Sequence, residues 1–125
     1  MSLRGDLTPD DLYNLYCTTP WSAKVSRETF LSALCESALV VATQDGELQG
    51  FLRAITDKHT ITYVCDIIVR EQDRGKGLGR TMMQSLLDQP AIACTTVVAL
   101  TQVQGFYEKL GFVERAQGCM VRRVG

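Results

Sequence analysis

A chain of 125 residues favours a single domain, with enough length to bury a core without disulfides or metals. Hydrophobic residues at 46% and charged residues at 22% exclude intrinsic disorder and fibrous repeats. Thirteen basic and fourteen acidic side chains leave a formal charge of -1, so nothing global attracts nucleic acid or an anionic membrane, and any anion site must be local.

The five cysteines, Cys17, Cys35, Cys65, Cys94 and Cys119, form no CxxC pair and have one histidine, His59, among them, so no metal site is expected. An odd, scattered set reads as small buried hydrophobes in a reducing compartment. No apolar run approaches the ~20 residues that cross a bilayer, and Met1–Asp10 lacks the apolar core of a signal peptide. These features predict a cytoplasmic protein without a membrane partner.

In chain order, Thr8-Pro9-Asp10-Asp11 predicts a helix start, with Thr8 as N-cap and Leu12, Leu15 and Tyr16 on one face. Thr18 to Trp21 breaks it, and Ser26 opens a second helix to about Ser37, with Val25 and Phe30 as a hydrophobic staple. Ala38–Thr43 and Leu48–Thr56 read as strands joined by the hairpin signal Asp45-Gly46, and Thr60–Val69 as the third strand of a meander. Leu78, Met82, Met83, Leu86 and Leu87 then recur at helical spacing, before Pro90. Ile92–Thr101, rich in β-branched residues, predicts a central strand buried on both faces. Val103, Phe106, Tyr107 and Leu110 predict a last helix, closed by Gly111 as left-handed cap with Phe112 folding back. Phe112–Arg115 and Cys119–Arg123 predict a final hairpin around Gln117-Gly118. The crossover helix between the third and fourth strands implies one parallel pair in a mostly antiparallel mixed sheet flanked by helices.

Between strand and helix lies Arg74-Gly75-Lys76-Gly77-Leu78-Gly79-Arg80, where glycines permit close approach and first-turn amides point at an anion. A phosphate or pyrophosphate is the expected guest, although such a turn also serves merely to start a helix. The GxGxG spacing fits neither the P-loop nor the dinucleotide fingerprint. It resembles motif A of the GCN5-related N-acetyltransferase (GNAT) superfamily, [RQ]xxGx[GA], through Arg74, Gly77 and Gly79, with Ile67-Ile68-Val69 as the apolar strand end before it. Glu71 stands where the family frequently has proline. Some 33 residues on, Phe106-Tyr107-Glu108-Lys109-Leu110-Gly111-Phe112 resembles the family's second signature. The likeness runs from about Ser26 to Phe112 and implies that residues 1–125 form one acyl-CoA N-acyltransferase domain.

The resemblance implies that the amides of Arg74, Gly75, Lys76, Gly77, Leu78, Gly79 and Arg80 hold the pyrophosphate of acetyl-CoA. Its pantetheine arm would lie along Ile67, Ile68 and Val69, in a gap where the two parallel strands splay apart, and an amide near Ile68 or Val69 would stabilise the oxyanion. Tyr107 matches the general acid that protonates the CoA thiolate, with core packing as its plainer role. Asp66, an acid in an apolar strand, is the candidate base for the amine, and a bulge cap or a partner for a nearby arginine are its alternatives. One departure concerns the residue six positions before Phe106, often small and polar in the family and here Leu100, so that Thr101–Gly105 reads as one residue short.

The implied activity is acetyl transfer from acetyl-CoA to a primary amine of a small molecule or peptide, by direct attack in a ternary complex. The N-terminal helices and their connection, with Tyr16 and Trp21, would select the amine, and homodimerisation through the C-terminal strands is compatible with the family. A non-catalytic acyl-CoA-binding or regulatory module is the alternative, and a basic loop binding RNA phosphates a remoter one.

Overall fold

A computed structural model of the chain describes residues 7–100, 104–116 and 119–122. Thr8 caps α1 (Pro9–Tyr16) through a capping box, in which Asp11 N–H donates to Thr8 Oγ1 at 3.3 Å and Thr8 N–H to Asp11 Oδ2 at 2.8 Å. Ser26 caps α2 (Arg27–Cys35) through the Thr29 amide at 3.1 Å, and Val25 and Phe30 lie in the same apolar cluster, as a staple requires. Between these helices a single 3-10 turn, Pro20–Lys24, carries Trp21.

Three antiparallel strands follow, β1 (Ala38–Gln44), β2 (Glu47–Thr56) and β3 (Ile61–Val69). The β1–β2 turn has φ of 52° at Asp45 and 81° at Gly46, the two positive values a type I′ hairpin needs. Asp57 organises the next turn, accepting from the amides of His59, Thr60 and Ile61 at 2.9, 2.8 and 3.1 Å, which accommodates Lys58 at φ 65°. After β3 come α3 (Leu78–Leu87), α4 (Pro90–Ala93), β4 (Thr96–Leu100), α5 (Gln104–Glu108), β5 (Val113–Ala116) and β6 (Cys119–Arg122). The strands form one mixed sheet in the order β1-β2-β3-β4-β6-β5, parallel between β3 and β4 and antiparallel elsewhere.

Two cores sandwich the sheet. Met82, Met83, Leu86 and Leu87 of α3 pack with Leu52, Ala54, Val64, Val97 and Ala99 on one face. On the other, Leu12, Leu15 and Tyr16 of α1 and Phe30 and Leu34 of α2 cover Phe51 and Ile68. Burying a side chain of this size contributes about 1.5–3 kcal/mol, so both helical layers are held chiefly by their apolar stripes. Among the described residues no helix is long and apolar enough to cross a membrane.

Two expectations need correction. The strand predicted over Ile92–Thr101 begins only at Thr96, because Pro90 starts the short helix α4 and turns Ile92 into the core. Thr95 closes that turn, its hydroxyl donating to the Ile92 carbonyl at 2.6 Å and lying 2.7 Å from Thr62 Oγ1. The cysteines also differ, with Cys17, Cys35 and Cys94 exposed and Cys65 half-buried, all four as free thiols. Cys17 and Cys94 are helix C-caps and Cys35 ends α2, so backbone geometry rather than apolar packing places them. Thr101 to Val103 and the turn Gln117-Gly118 lie outside the described residues, as does Arg123.

Candidate functional site

The parallel pairing of β3 with β4 runs from Ile61–Thr96 to Val64–Ala99 and ends there. β3 continues through five further residues, Cys65–Val69, with Asp66–Val69 still paired to β2 and, among the described residues, no partner on the β4 side. Backbone groups alternate along a strand, so the Arg70 amide donating to the Gln49 carbonyl at 2.8 Å directs the Ile68 amide toward β2 as well. The amides of Ile67 and Val69 therefore face the open side. Arg74 Nε donates to the Val69 carbonyl at 3.1 Å, consistent with that direction. Of the two oxyanion amides expected from sequence, Val69 rather than Ile68 has the open orientation.

This end of β3 approaches β2 closely, since a Cβ on Gly50 would stand 2.6 Å from the Ile68 carbonyl oxygen. Only hydrogen fits at that crossing.

Beyond Val69, Gly75 and Gly77 both have φ of 80°, and a Cβ at either would meet nothing within 4 Å. Glycine is required there for backbone conformation, not for lack of room. Gly77 is the N-cap of α3, whose first intrahelical bond runs from Thr81 N–H to the Gly77 carbonyl at 3.0 Å. The preceding amides of Leu78, Gly79 and Arg80 therefore have no acceptor inside the helix and project at its positive end. A Cβ on Gly79 would meet the Phe106 ring at 3.4 Å, an ordinary van der Waals contact, so neither space nor a left-handed backbone demands glycine there. Val69, the loop and Phe106 line a concavity of about 320 Å³, with Arg74 and Arg80 at its wall.

Asp73, which the sequence reading passed over, fixes this loop. It is 2% exposed, ion-paired to Arg70 and to Lys76 Nζ at 3.2 Å. The Arg70 guanidinium hydrogen-bonded to it, with Lys76 adding to the effect, holds its carboxyl below the usual carboxylate range. Arg70 also reaches Glu47 at 3.2 Å. Lys76 is thus turned back on Asp73 and does not line the concavity, unlike the other loop residues singled out from sequence. The three-residue spacing Arg70, Asp73, Lys76 is the signal that would have found it.

Tyr107 sits beside the loop in the α3-side core, 8% exposed. The Gly111 and Phe112 amides donate to the Glu108 and Tyr107 carbonyls at 3.1 Å each, a Schellman closure with Gly111 at φ 89°. That closure sets Phe112 edge-on to Tyr107 at 5.2 Å, while Phe106 meets it edge-on at 5.0 Å. Burial pushes the Tyr107 phenol up to about 12. Among the described residues its hydroxyl has no hydrogen-bond partner.

Asp66 lies on the opposite face of β3. The register slips between Arg53–Asp66 and Ala54–Val64, leaving Cys65 as the extra residue of a β-bulge. The bulge lets Val64 face α3 while Asp66 and Ile68 face α1 and α2, which strict alternation would forbid. Asp66 Oδ2 accepts from Arg53 Nε at 2.7 Å and Oδ1 from the Trp21 indole N–H at 3.3 Å. Arg53 Nη1 also donates to Ser37 Oγ at 3.3 Å. Burial raises the nearby Tyr16 phenol and the Cys65 thiol, the Asp66 charge adding to both. The arginine partner anticipated in general terms is Arg53.

The family model of the acetyltransferase (GNAT) domain matches residues 35–114. The chain belongs to the GNAT acetyltransferase family. It is 29% identical over 94 residues to the uncharacterized N-acetyltransferase ycf52 of Pyropia yezoensis, covering 69% of this chain and 54% of that protein. The chain thus spans about half the length of this curated relative. In fold it is similar to Ard1 from Thermoplasma volcanium, with a TM-score of 0.78 at 21% identity over 97% of this chain and 96% of that one. It is also similar to an aminoglycoside 6'-N-acetyltransferase solved with coenzyme A, with a TM-score of 0.72 at 18% identity over 97% and 91%.

Proposed function

We propose that the chain forms one acyltransferase domain that moves an acetyl group from acetyl-CoA to a primary amine of a small molecule or peptide, in a ternary complex. The observation that carries this reading is the loop after β3, with two left-handed glycines and outward amides, beside a stretch of β3 that has no β4 partner among the described residues. The residues present suit a pyrophosphate, since the loop concavity combines free first-turn amides with Arg74 and Arg80, while Asp73 has its charge compensated by Arg70 and Lys76. Bound there, acetyl-CoA supplies a thioester, an activated acetyl group with a thiolate as leaving group.

This chain's own residues do the rest. Arg74, Gly75 and Gly77 to Arg80 hold the diphosphate, and the edge of β3 at Ile67 and Val69 lines the arm, with Ile68 anchoring the strand in the opposite core. The Val69 amide is oriented to stabilise negative charge on the acetyl oxygen. Tyr107, fully protonated at neutral pH with a phenol near 12, donates its proton toward the departing sulfur. Asp66, across β3, accepts a hydrogen bond from the amine and passes its proton to water. Keeping the proton would leave the half-buried Arg53 without its counter-charge.

The test is thermal unfolding with acetyl-CoA or CoA, with ATP and NAD as controls. A ligand bound to the native state alone stabilises it by about 2.7 kcal/mol at a hundredfold excess over Kd, so Tm rises selectively with the CoA compounds. No rise at millimolar acetyl-CoA would overturn the assignment.

A further inference from the structure

We propose that Asp73 is a positioning residue for cofactor binding, tying down the crest of the glycine loop through Lys76, and that Lys76 serves as this tether and not as a phosphate ligand. The inference rests on the reading that the loop holds the CoA diphosphate.

A carboxylate is an unfavourable neighbour for an anion. Asp73 nevertheless stands in the wall of the concavity, where its charge opposes a diphosphate and Arg74 and Arg80 already supply attraction. What the acid adds is geometry. Its two oxygens are divided, Oδ2 accepting from Arg70 Nε and Oδ1 from Lys76 Nζ at 3.2 Å. Arg70 is itself anchored to the sheet, since its amide donates to the Gln49 carbonyl of β2 at 2.8 Å. Asp73 thus bridges a fixed residue at the strand end to the crest of the loop.

The crest needs such a bridge. Gly75 and Gly77 flank Lys76 at φ 80° with nothing near the missing Cβ, and glycine enters that region without being confined to it. Lys76 is the one side chain between them. Arg74, tied to the Val69 carbonyl at 3.1 Å, restrains only the side of the loop next to β3. The amides proposed to meet the diphosphate lie directly after the crest, and a site built of backbone amides gains affinity when they are fixed before the ligand arrives. The ion pair is one-sided, with Lys76 60% exposed and the Asp73 side chain 3% exposed. Between two exposed groups such a pair would be worth little, but a carboxylate cut off from water is costly to leave without its donor.

Asp73→Asn separates the two contacts. The new side chain keeps an oxygen for Arg70 and turns an NH₂ donor toward Lys76, which frees the crest while leaving the strand-end contact in place. In the free protein, amide order parameters at Gly75, Lys76 and Gly77 are expected to fall from about 0.85 to below about 0.6. Calorimetry with CoA is expected to show about tenfold weaker binding, and KM for acetyl-CoA to rise by the same factor with kcat retained. A merely structural role would lower Tm and the active fraction, and hence kcat, without moving KM. Lys76→Ala, an exposed substitution that leaves the fold intact, is expected to loosen Gly75 and Gly77 and to weaken CoA in the same way. The double variant is expected to bind CoA no more weakly than Asp73→Asn alone, because both changes break one tether. Glu47→Gln, which removes the exposed carboxylate on Arg70, is expected to alter neither readout. Unchanged or tighter CoA binding in Asp73→Asn or Lys76→Ala would overturn the tether. A double variant clearly weaker than Asp73→Asn would also overturn it, by making Lys76 a ligand in its own right. These outcomes leave the acetyl-transfer reading standing, whereas no CoA binding by the unaltered protein sinks both.

Discussion

Replacing Tyr107 by phenylalanine is expected to lower kcat by about 10²- to 10⁴-fold and to leave acetyl-CoA affinity unchanged. The substitution removes one hydroxyl from a ring that Phe106 and Phe112 already clamp edge-on, so the ring itself keeps its place. The hydroxyl has no hydrogen-bond partner among the described residues, and its loss therefore leaves none of their groups unsatisfied. A residue that only filled space would show the reverse pattern, with activity kept. The pH profile makes a second distinction. Burial raises the phenol to about 12, so its acid form persists across the neutral range and Tyr107 contributes no basic limb to kcat below about pH 11. The sign for stability follows from the same shift, because the native state holds this proton more tightly than the unfolded chain. Stability is fully present below the ordinary phenol pKa and declines as pH rises from there through the folded value.

The second large effect is expected at Gly77. Gly77→Val places a β-branched residue at φ 80°, which costs about 1–2 kcal/mol for an ordinary L-residue and more for a branched one. No atom stands within 4 Å of the new Cβ, so the penalty is conformational and cannot be relieved by moving a neighbour. The backbone answers by rotating out of the left-handed region, which swings the amides at the start of α3 away from the concavity. Acetyl-CoA Kd is expected to rise about tenfold or more, on the scale of 1.4 kcal/mol per decade. Gly77→Asn, which tolerates positive φ, is expected to lose markedly less. Equal losses for Val and Asn by calorimetry would show that side-chain bulk, not backbone conformation, matters at this position.

Much of this arrangement is legible in local sequence because local chemistry builds it. The Thr8 capping box, the Asp45-Gly46 hairpin, the α3 stripe and the Gly111 closure each depend on residues within a few positions of one another. The loop glycines belong to the same class, and the mixed sheet follows from the order of elements. What escapes is set by register and distance. Asp66 meets Arg53 and Trp21 only because an extra residue at Cys65 shifts β3 against β2, and a bulge of this kind leaves no signature in composition. Asp73 reads as one more charge in a charged loop until folding buries it between Arg70 and Lys76. The run from Ile92 to Thr95 has strand-like residues, but Pro90 starts a helical turn that takes Ile92 into the core. Cys17, Cys35 and Cys94 follow helix ends rather than hydrophobicity.

The most direct measurement is amine-dependent thiol release. The protein is incubated with acetyl-CoA and a panel of primary amines, and free CoA thiol and acetylated amine are quantified together. The account predicts release above background with cationic amines, one acetylated amine per thiol, and loss of nearly all of it in Tyr107→Phe. Acetyl-CoA binding without thiol release or acetylated product from any amine in the panel would contradict it.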